Sequence, residues 1–552
     1  MSSNGIATNR QTNTPSDEPL IYPVNGAFPE SQDGEPKEFA EVKELRRGLA
    51  QRHIQMIALA GTIGTGLFLG SGKAIAGAGP LGALLGYTLV GILVSGMVLS
   101  IAELSALVPL SGGIIRHAEY FVDPALSFAN GWNQVYSNII TIPAELVAAA
   151  VLIQFWVQIN NAVWIICFGF LLVISNLLFV RVYGELEFTC SILKIMLIVG
   201  LNIMALIITC GGGPNGETYG FRYWRNPGPF VDYLGYTGAL GHFMGFWTTF
   251  SNAVYAYSGV ENFSLAAAET QSPRRNIPIA AKRIFFRVML FYGIILSIFM
   301  VGMIVPSNDK ELLRSTGTAA QSPFVIAANN AGIKVVPSVI NAVVLTSAWS
   351  AGNAAMLGGS RMLYGLGQHG HSPKFFLQTN RFDVPYIAIG FLSLFICLGF
   401  LTLSSSASVV FNWLQDFVAV AALVNWMIIC GVYLRFYYGC RKQGISRSTL
   451  PWKGPFQPYA AWIALISFSI LLLTGGYSVF IKDHWDTETF VSSYINIPLI
   501  LILYFGYKYR QGTGIIPLSD IPIQKFIDIA NDNPEPEEDK VVGWKRLNIL
   551  WS

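Results

Sequence analysis

Long apolar segments separated by short polar ones run through the chain from residue 54 to residue 508. A helix needs about 20 apolar residues to cross the hydrocarbon core of a bilayer. The pattern predicts twelve spanning helices, at 54–76, 81–108, 126–157, 161–180, 187–210, 240–268, 284–305, 337–366, 386–403, 408–434, 458–481 and 489–508. Short apolar segments with a period of two, typical of a membrane barrel, are not seen in the sequence. The predicted fold class is therefore an all-α polytopic membrane protein.

The amino-acid composition agrees with a membrane protein. Of the 552 residues, 53% are hydrophobic and only 12% are charged, which is about half the charged share of a typical soluble domain. An ordinary soluble enzyme and a disordered scaffold are thereby excluded. The 35 Lys and Arg residues nearly balance the 32 Asp and Glu residues, which argues against a nucleic-acid partner.

The positive charges predict the orientation of the helices in the lipid bilayer. Residues 1–52 are polar and contain no signal peptide. With the N-terminus in the cytosol, the inner flanks of the spans hold 21 Lys and Arg residues and the outer flanks hold 7. An excess on the cytosolic side is typical of membrane proteins. We expect both termini to be cytosolic.

Five glycines interrupt the first predicted span between Gly61 and Gly72. Each glycine destabilises a helix by up to about 1 kcal/mol relative to alanine. Unwound backbone is tolerated at membrane depth only where it lines a cavity or is buried in protein. The N–H groups and the positive dipole end freed by such a break suit a carboxylate. The alternative interpretation is close helix packing through small residues.

A second break is predicted in the sixth span, where Gly259 lies between Asn252 and Asn262. Glu261 places an ionisable group beside this break. Two broken helices at corresponding positions of two halves are the sequence pattern typical of a secondary transporter's binding site. The coincidence of the two breaks favours a transporter over simple packing.

Five ionisable residues fall inside predicted spans, namely Glu103, Glu145, Lys194, Glu261 and Asp416. A charge at the bilayer centre costs about 2.5–3.5 kcal/mol or more, so it usually faces a partner or a water-filled cavity. We interpret Glu103 and Asp416 as structural charges. For the other three we favour a functional role, with a structural ion pair as the alternative.

Aromatic residues flank the two breaks, and three of them, Phe68, Trp247 and Phe250, are candidate gates. Most aromatic residues of a membrane protein instead face lipid or the interface. No metal and no cofactor are expected, because His53 and His242 have no neighbours at ligand spacing and the cysteines form no CxxC motif. The motifs HExxH and GxSxG are absent as well, so an enzyme is not predicted.

Several sequence motifs are specific when taken together: Arg52–Phe68, Pro109–Gly113, Phe121–Pro124, Ile142–Leu146, Tyr183–Phe188 with Lys194, Pro273–Pro278, Ser322–Ile326 and Ser360–Arg361. On these motifs, over roughly residues 45–510, the chain resembles the fungal (yeast-type) amino-acid permeases of the amino acid–polyamine–organocation transporter superfamily. The resemblance implies a five-plus-five inverted repeat, similar to the leucine transporter, with broken helices 1 and 6 and two extra helices. It also implies proton–amino acid symport into the cell by alternating access in the plasma membrane.

The resemblance divides the chain into a cytosolic tail (1–50), a transport core of ten helices (51–435), helices 11 and 12 (436–510) and a second cytosolic tail (511–552). The first tail holds Lys37 and Lys43 among acidic residues. In the family such lysines can be ubiquitin sites that trigger endocytosis, so the resemblance implies ubiquitin ligase as a partner. A solvated tail without such a role is the alternative. Both tails are of ordinary length, which favours a transporter over an amino-acid sensor of the same fold that transports little.

The resemblance also implies roles for individual residues. Backbone N–H groups of the first break would bind the substrate α-carboxylate, at Thr62, Ile63, Gly64, Thr65 and Gly66. Carbonyl groups of the second break would hold the α-ammonium, at Tyr255, Ala256, Tyr257 and Ser258. Glu145 lies beside this site, and Lys194, Glu261 and Glu145 are the candidates for proton coupling. Val260 and Asn262 depart from the pattern of many relatives.

The expected substrates are neutral amino acids of fairly broad range. The reason is that the breaks carry no acidic or basic cluster beyond Glu145 and Glu261. A narrow permease for proline, for acidic or for basic amino acids is the alternative.

Overall fold

The computed structural model describes residues 64–110, 112–178, 180–265, 273–281, 293–313, 322–381, 384–532 and 534–535. Seven residues named above lie outside these ranges, namely Lys37, Lys43, Arg52, His53, Gly61, Thr62 and Ile63. Within them the chain forms helices and a single isolated β-bridge between Tyr233 and Tyr236. This architecture confirms the predicted helical fold class.

Twenty α-helices are described, and we number them in chain order. The first ten are α1 Thr65–Phe68, α2 Gly70–Leu107, α3 Gly113–Phe121, α4 Pro124–Ile153, α5 Asn161–Leu178, α6 Val180–Thr209, α7 Arg222–Arg225, α8 Gly238–Tyr257, α9 Asn262–Leu265 and α10 Pro273–Ala280. The others are α11 Leu296–Ile304, α12 Lys310–Leu313, α13 Pro323–Asn330, α14 Val336–Gln368, α15 Tyr386–Leu394, α16 Ala407–Lys442, α17 Tyr459–Thr474, α18 Thr487–Tyr494, α19 Asn496–Gln511 and α20 Ile523–Asp532. A 3-10 segment, Phe395–Leu403, continues α15.

Each predicted span contains at least one of these helices. In the described part of the chain, six helical stretches are long and apolar enough to cross a membrane: Gly70–Leu107, Pro124–Ile153, Thr189–Thr209, Tyr386–Leu403, Ala407–Lys442 and Thr487–Gln511. Three shorter apolar helices accompany them, Asn161–Leu177, Gly293–Ile304 and Tyr459–Thr474. The stretch at 408–434 was predicted too short, because α16 continues to Lys442.

The long helix α2 contains the boundary between the first two predicted spans. Gly79 has φ +77°, outside the helical region, and Pro80 follows it. A Cβ at Gly79 would lie 2.6 Å from the carbonyl oxygen of Pro229, while the N–H of Leu81 donates to that same oxygen at 3.1 Å. A glycine is required here both for the left-handed conformation and for the close approach of the outer loop.

The central helix is α4, which packs against α14, α16 and α19, while α2 packs against α8. The second half of α4 carries a run of fully buried small residues, Ala148 to Ala150, which lets neighbouring helices approach closely. Large apolar side chains on α5 and α6 instead point outward, as at Phe170 and Met196, each 65% exposed. Polar groups inside and apolar groups outside are the arrangement that lipid demands.

The sequence analysis missed two helices, α3 and α20. α3 carries Arg116, His117 and Glu119, so its apolar content is too low for a span. α20 lies within the segment expected to be a tail, yet Phe526 is buried against Phe121 at a ring distance of 5.9 Å. Both helices are amphipathic and short, and their burial depends on contacts with other elements rather than on length.

Candidate functional site

The first break lies where α1 begins. Gly64 is extended, with φ −143° and ψ −162°, and α1 starts at Thr65 without a side-chain cap. α1 ends after one turn, at Leu69, before α2 starts. The first N–H groups of a helix lack intrahelical partners, so this start presents donors next to buried Thr65 and Gly66.

The second break lies at the end of α8. Ser258 is extended, Gly259 has φ +86°, and the chain becomes helical again only at Asn262. The carbonyl oxygen of Tyr255 accepts both the N–H of Ser258, at 3.1 Å, and its hydroxyl, at 2.7 Å. The predicted glycine break is therefore present, and part of the freed backbone is satisfied by the Ser258 side chain.

The two broken segments touch each other at Gly66. A Cβ on this residue would lie 2.7 Å from Cδ1 of Tyr255 and 3.0 Å from Cα of Ala256. A side chain of any size would separate α1 from α8, so Gly66 is required by this contact. Tyr257 points to the other side of α8, where its hydroxyl donates to the carbonyl oxygen of Tyr87 at 3.2 Å.

Glu145 on α4 joins the two breaks. Its Oε1 accepts from the hydroxyl of Thr65 at 2.9 Å and from the hydroxyl of Tyr255 at 3.1 Å. The residue is only 5% exposed. Its other oxygen, Oε2, has no hydrogen-bond partner within the described parts of the chain. The structure thus brings three predicted site residues together around one carboxylate.

The gate candidates lie in two places. Phe68 is buried against Phe324, with ring centroids 5.8 Å apart, and its carbonyl oxygen accepts from the hydroxyl of Ser322 at 2.9 Å. Phe250 and Trp247 form an edge-on pair at 5.0 Å. The indole N–H of Trp247 donates to Thr474 on α17 at 3.0 Å. These contacts place Phe68 next to the first break and Trp247 beside an extra helix.

Lys194 forms an ion pair, which was the alternative interpretation from the sequence, and its partner Glu187 was not identified there. Its Nζ lies 3.9 Å from Oε1 of Glu187, and both side chains are almost fully buried. The hydroxyl of Ser350 on α14 donates to Oε2 of Glu187 at 2.5 Å. A spacing of seven residues is two helical turns, which puts both charges on one face of α6. This seven-residue spacing could have identified the pair from the sequence. Glu187 is the first residue of the predicted span 187–210, however, and was therefore not counted among the charges inside it.

Glu261 is held by a different helix. Its Oε1 accepts from the side-chain amide of Asn425 at 2.9 Å, and its Oε2 accepts from the indole of Trp426 at 3.1 Å. Both donors belong to α16. Asn425 and Trp426 were not singled out from the sequence, because their part of α16 has no charge and no glycine pattern.

Glu103 has the structural role expected of it. Arg447 binds it with two hydrogen bonds, of 2.9 and 2.6 Å, and Tyr433 and the N–H of Gly454 also donate to it. Asp416 accepts from the hydroxyl of Ser251, which joins α16 to α8. Within the described ranges, no group of three His, Cys, Asp or Glu residues is arranged to hold a metal ion.

Known proteins resemble this chain over most of its length. The family model described as "Amino acid permease" matches residues 53–515. The "Dicarboxylic amino acid permease" of Saccharomyces cerevisiae is 36% identical over 96% of this chain and 86% of its own length. From the same organism, the "Proline-specific permease" is 37% identical (94% and 84% covered) and the "Lysine-specific permease" 36% identical (90% and 80%).

A solved structure shares the fold. The crystal structure of a manganese transporter from Eremococcus coleocola superimposes with a TM-score of 0.51 at 14% sequence identity, covering 90% of this chain and 97% of that one. An identity this low carries information about the fold alone. The membrane-spanning helical architecture is therefore shared with a known transporter.

Proposed function

Because this chain belongs to the amino acid permease family, we propose that it is a proton-coupled symporter that carries neutral amino acids into the cell. The membership makes it a multi-pass membrane permease rather than an enzyme. The direction of transport, the coupled proton, the neutral substrates and the plasma membrane are our proposals. Cytosolic termini and ubiquitin attachment at Lys37 and Lys43 remain predictions from the sequence.

The observation that carries the proposal is the half-satisfied carboxylate of Glu145. It sits where both broken segments meet, and Oε2 is buried without a partner among the described residues. A buried acceptor without a donor costs about 1–3 kcal/mol. An incoming ammonium group would remove that cost, and the N–H groups at the start of α1 are suited to the carboxylate of the same substrate.

The charges at the two breaks that are available to a ligand support neutral amino acids as the substrate class. Glu261 has a donor on each of its oxygens, so of the two acids predicted at the breaks it is Glu145 that has an oxygen without a partner among the described residues. A zwitterionic amino acid with an uncharged side chain brings one ammonium and one carboxylate, which match one acid and one helix start. The relatives are named for dicarboxylic amino acids, proline and lysine, so neighbouring side chains must set the selectivity within the family.

Among the three candidates for proton coupling we select Lys194. A coupling group must change its charge with conformation, and Lys194 is buried with the carboxylate of Glu187 at 3.9 Å. Glu261 is less suited, because both of its oxygens are held by α16. Glu145 is assigned to the substrate instead.

The test is uptake of labelled amino acids by a permease-deficient fungal cell that expresses the chain. We expect accumulation of neutral amino acids that increases as the external pH falls and that stops with a protonophore. Glu145→Gln keeps the shape of the side chain but removes its charge, so uptake should fall at least about tenfold. Equal surface abundance of the variant, measured by biotinylation, is the control.

Two results would contradict the proposal. If no amino acid accumulates in a pH-dependent way, the chain is not a proton symporter, and a sensor becomes the better description. If unlabelled proline, lysine or glutamate alone competes with uptake, the substrate range is narrow rather than neutral and broad. Unchanged uptake by Glu145→Gln would remove Glu145 from the site.

A further inference from the structure

Glu187 and Lys194 form a buried pair of opposite charges in the middle of the described protein. Lys194 is 1% exposed and Glu187 is 4% exposed. An ammonium group buried without a counter-charge is strongly disfavoured and tends to lose its proton instead. Lys194 has such a counter-charge in the carboxylate of Glu187, 3.9 Å away.

The second oxygen of Glu187 connects the pair to another helix. The hydroxyl of Ser350 on α14 donates to it at 2.5 Å. Hydrogen bonds to ionised acceptors are short and about twice as strong as neutral ones. This bond fixes the carboxylate between α6 and α14, so a relative movement of the two helices would change the environment of Glu187.

α14 also reaches the site of the proposed substrate. Two residues beyond Ser350, a Cβ built on Gly352 would lie 3.5 Å from Cβ of Glu145. One turn of α14 thus contacts both Glu145, at the proposed substrate site, and the ion pair of Glu187 and Lys194. Two further titratable side chains act on the pair, Cys190 on α6 and Glu145 on α4.

We propose that Glu187 is the positioning residue that makes Lys194 the proton carrier, with Ser350 as the link to α14. This inference rests on the proposed function and extends it to a residue to which the sequence analysis assigned no role. When substrate and proton are both bound, an N–H bond of the Lys194 ammonium holds the proton beside ionised Glu187. On the cytosolic side that bond breaks and the proton passes to water, which leaves a neutral amine. A proton from the outside re-forms the bond.

The experiment compares active accumulation with exchange in proteoliposomes that hold the full-length protein. Glu187→Gln removes the counter-charge while keeping size and hydrogen bonding. We expect the proton-driven accumulation ratio to fall at least about tenfold, while exchange of labelled for unlabelled substrate without a proton gradient persists. A variant that merely fails to fold loses both activities, so retained exchange separates coupling from structure.

Three further variants sharpen the result. Lys194→Met should likewise lose proton-driven accumulation and retain exchange. Glu187→Asp keeps the charge and should recover part of the accumulation. Glu217→Gln, on the outer loop with 57% of its side chain exposed, is the matched control and should accumulate as the wild type does.

The outcomes that overturn the inference are distinct from those that overturn the proposed function. Normal accumulation by Glu187→Gln, or by the double variant Glu187→Gln with Lys194→Met, would show that coupling does not need the pair. Loss of exchange by Glu187→Gln, with Glu187→Asp no better, would reduce Glu187 to a structural role. A wild-type protein that exchanges but never accumulates would overturn both proposals.

Discussion

Four buried carboxylates on the spanning helices differ in how their oxygen atoms are satisfied. Glu103 and Glu261 have a donor on each oxygen. Glu187 has Lys194 on one oxygen and Ser350 on the other. In contrast, Glu145 has both of its donors on one oxygen. Among these four acids, Glu145 therefore differs from the others in having an oxygen with capacity for a ligand.

The residue-scale prediction concerns Glu103. Removing one partner of a buried ion pair leaves the other uncompensated, at a cost of about 3–5 kcal/mol. Glu103→Ala should therefore lower the free energy of unfolding by that amount, because Arg447, Tyr433 and Gly454 all lose their acceptor. The measurement is thermal unfolding of the detergent-purified protein.

The exposed pair of Glu217 and Arg222 provides the control. Nη1 of Arg222 lies 3.2 Å from Oε2 of Glu217, but both side chains are 57% exposed. Exposed ion pairs contribute about 1 kcal/mol at most to the free energy of unfolding. Glu217→Ala should unfold close to the wild-type temperature. If Glu103→Ala unfolds at the same temperature as Glu217→Ala, the cluster around Glu103 does not stabilise the fold.

The ionisable residues inside the spanning helices could be identified from the sequence. The residues with which they pair could not. A charge in an apolar segment is conspicuous, which is why Glu145, Lys194 and Glu261 were selected. Their partners are less conspicuous: Asn425 and Trp426 are uncharged, and Glu187 is the first residue of the predicted span 187–210. Pairing depends on how α6, α14 and α16 are rotated about their axes, and the apolar pattern does not determine that rotation.

At the scale of elements, the contact between the two breaks depends on one glycine. An alanine at Gly66 would bring a methyl group within 2.7 Å of the Tyr255 ring and 3.0 Å of the Ala256 backbone. Overpacking of this kind costs about 1–3 kcal/mol. Gly66→Ala should therefore lower the thermal unfolding temperature and abolish uptake, because α1 and α8 can no longer hold Thr65 and Tyr255 on Glu145.

Gly390→Ala is the control for this prediction. Gly390 lies within α15, and no described atom comes within 4 Å of a Cβ built there. Alanine is a better helix former by about 1 kcal/mol, so this variant should be at least as stable as the wild type. Equal behaviour of the two variants would mean that α1 and α8 do not touch at Gly66.

Elements were predictable where length and apolarity define them. The spans and the break at Gly259 follow from local sequence, because glycine weakens a helix and readily adopts the positive φ found at Gly259. α3 and α20 were missed because they are short and polar, and their stability comes from partners: the N–H of Ile516 donates to Val122 at 2.9 Å, and Phe526 packs on Phe121. Partners distant in sequence leave no local pattern.

At the scale of the whole molecule, the few charges serve two purposes. Those inside the spans are paired or face the breaks, and those in the loops set the orientation. The loop Glu217–Arg225 should therefore face the outside, and the end of α16 at Lys442 should face the cytosol, because Lys and Arg are retained on the inner side during insertion. The orientation follows from a sum over many loops, so no single contact determines it.

Cysteine labelling tests this orientation. In a Cys210→Ser background, Glu217→Cys should react in intact cells with a maleimide that does not cross membranes, whereas Lys442→Cys should react only after permeabilisation. Both positions are exposed in the structure, so accessibility to solvent does not distinguish them. The reverse labelling pattern would invert the topology and place the start of α4, with its Asp123–Lys508 ion pair, on the outside. It would then reverse the direction of proton release assigned to Lys194 as well.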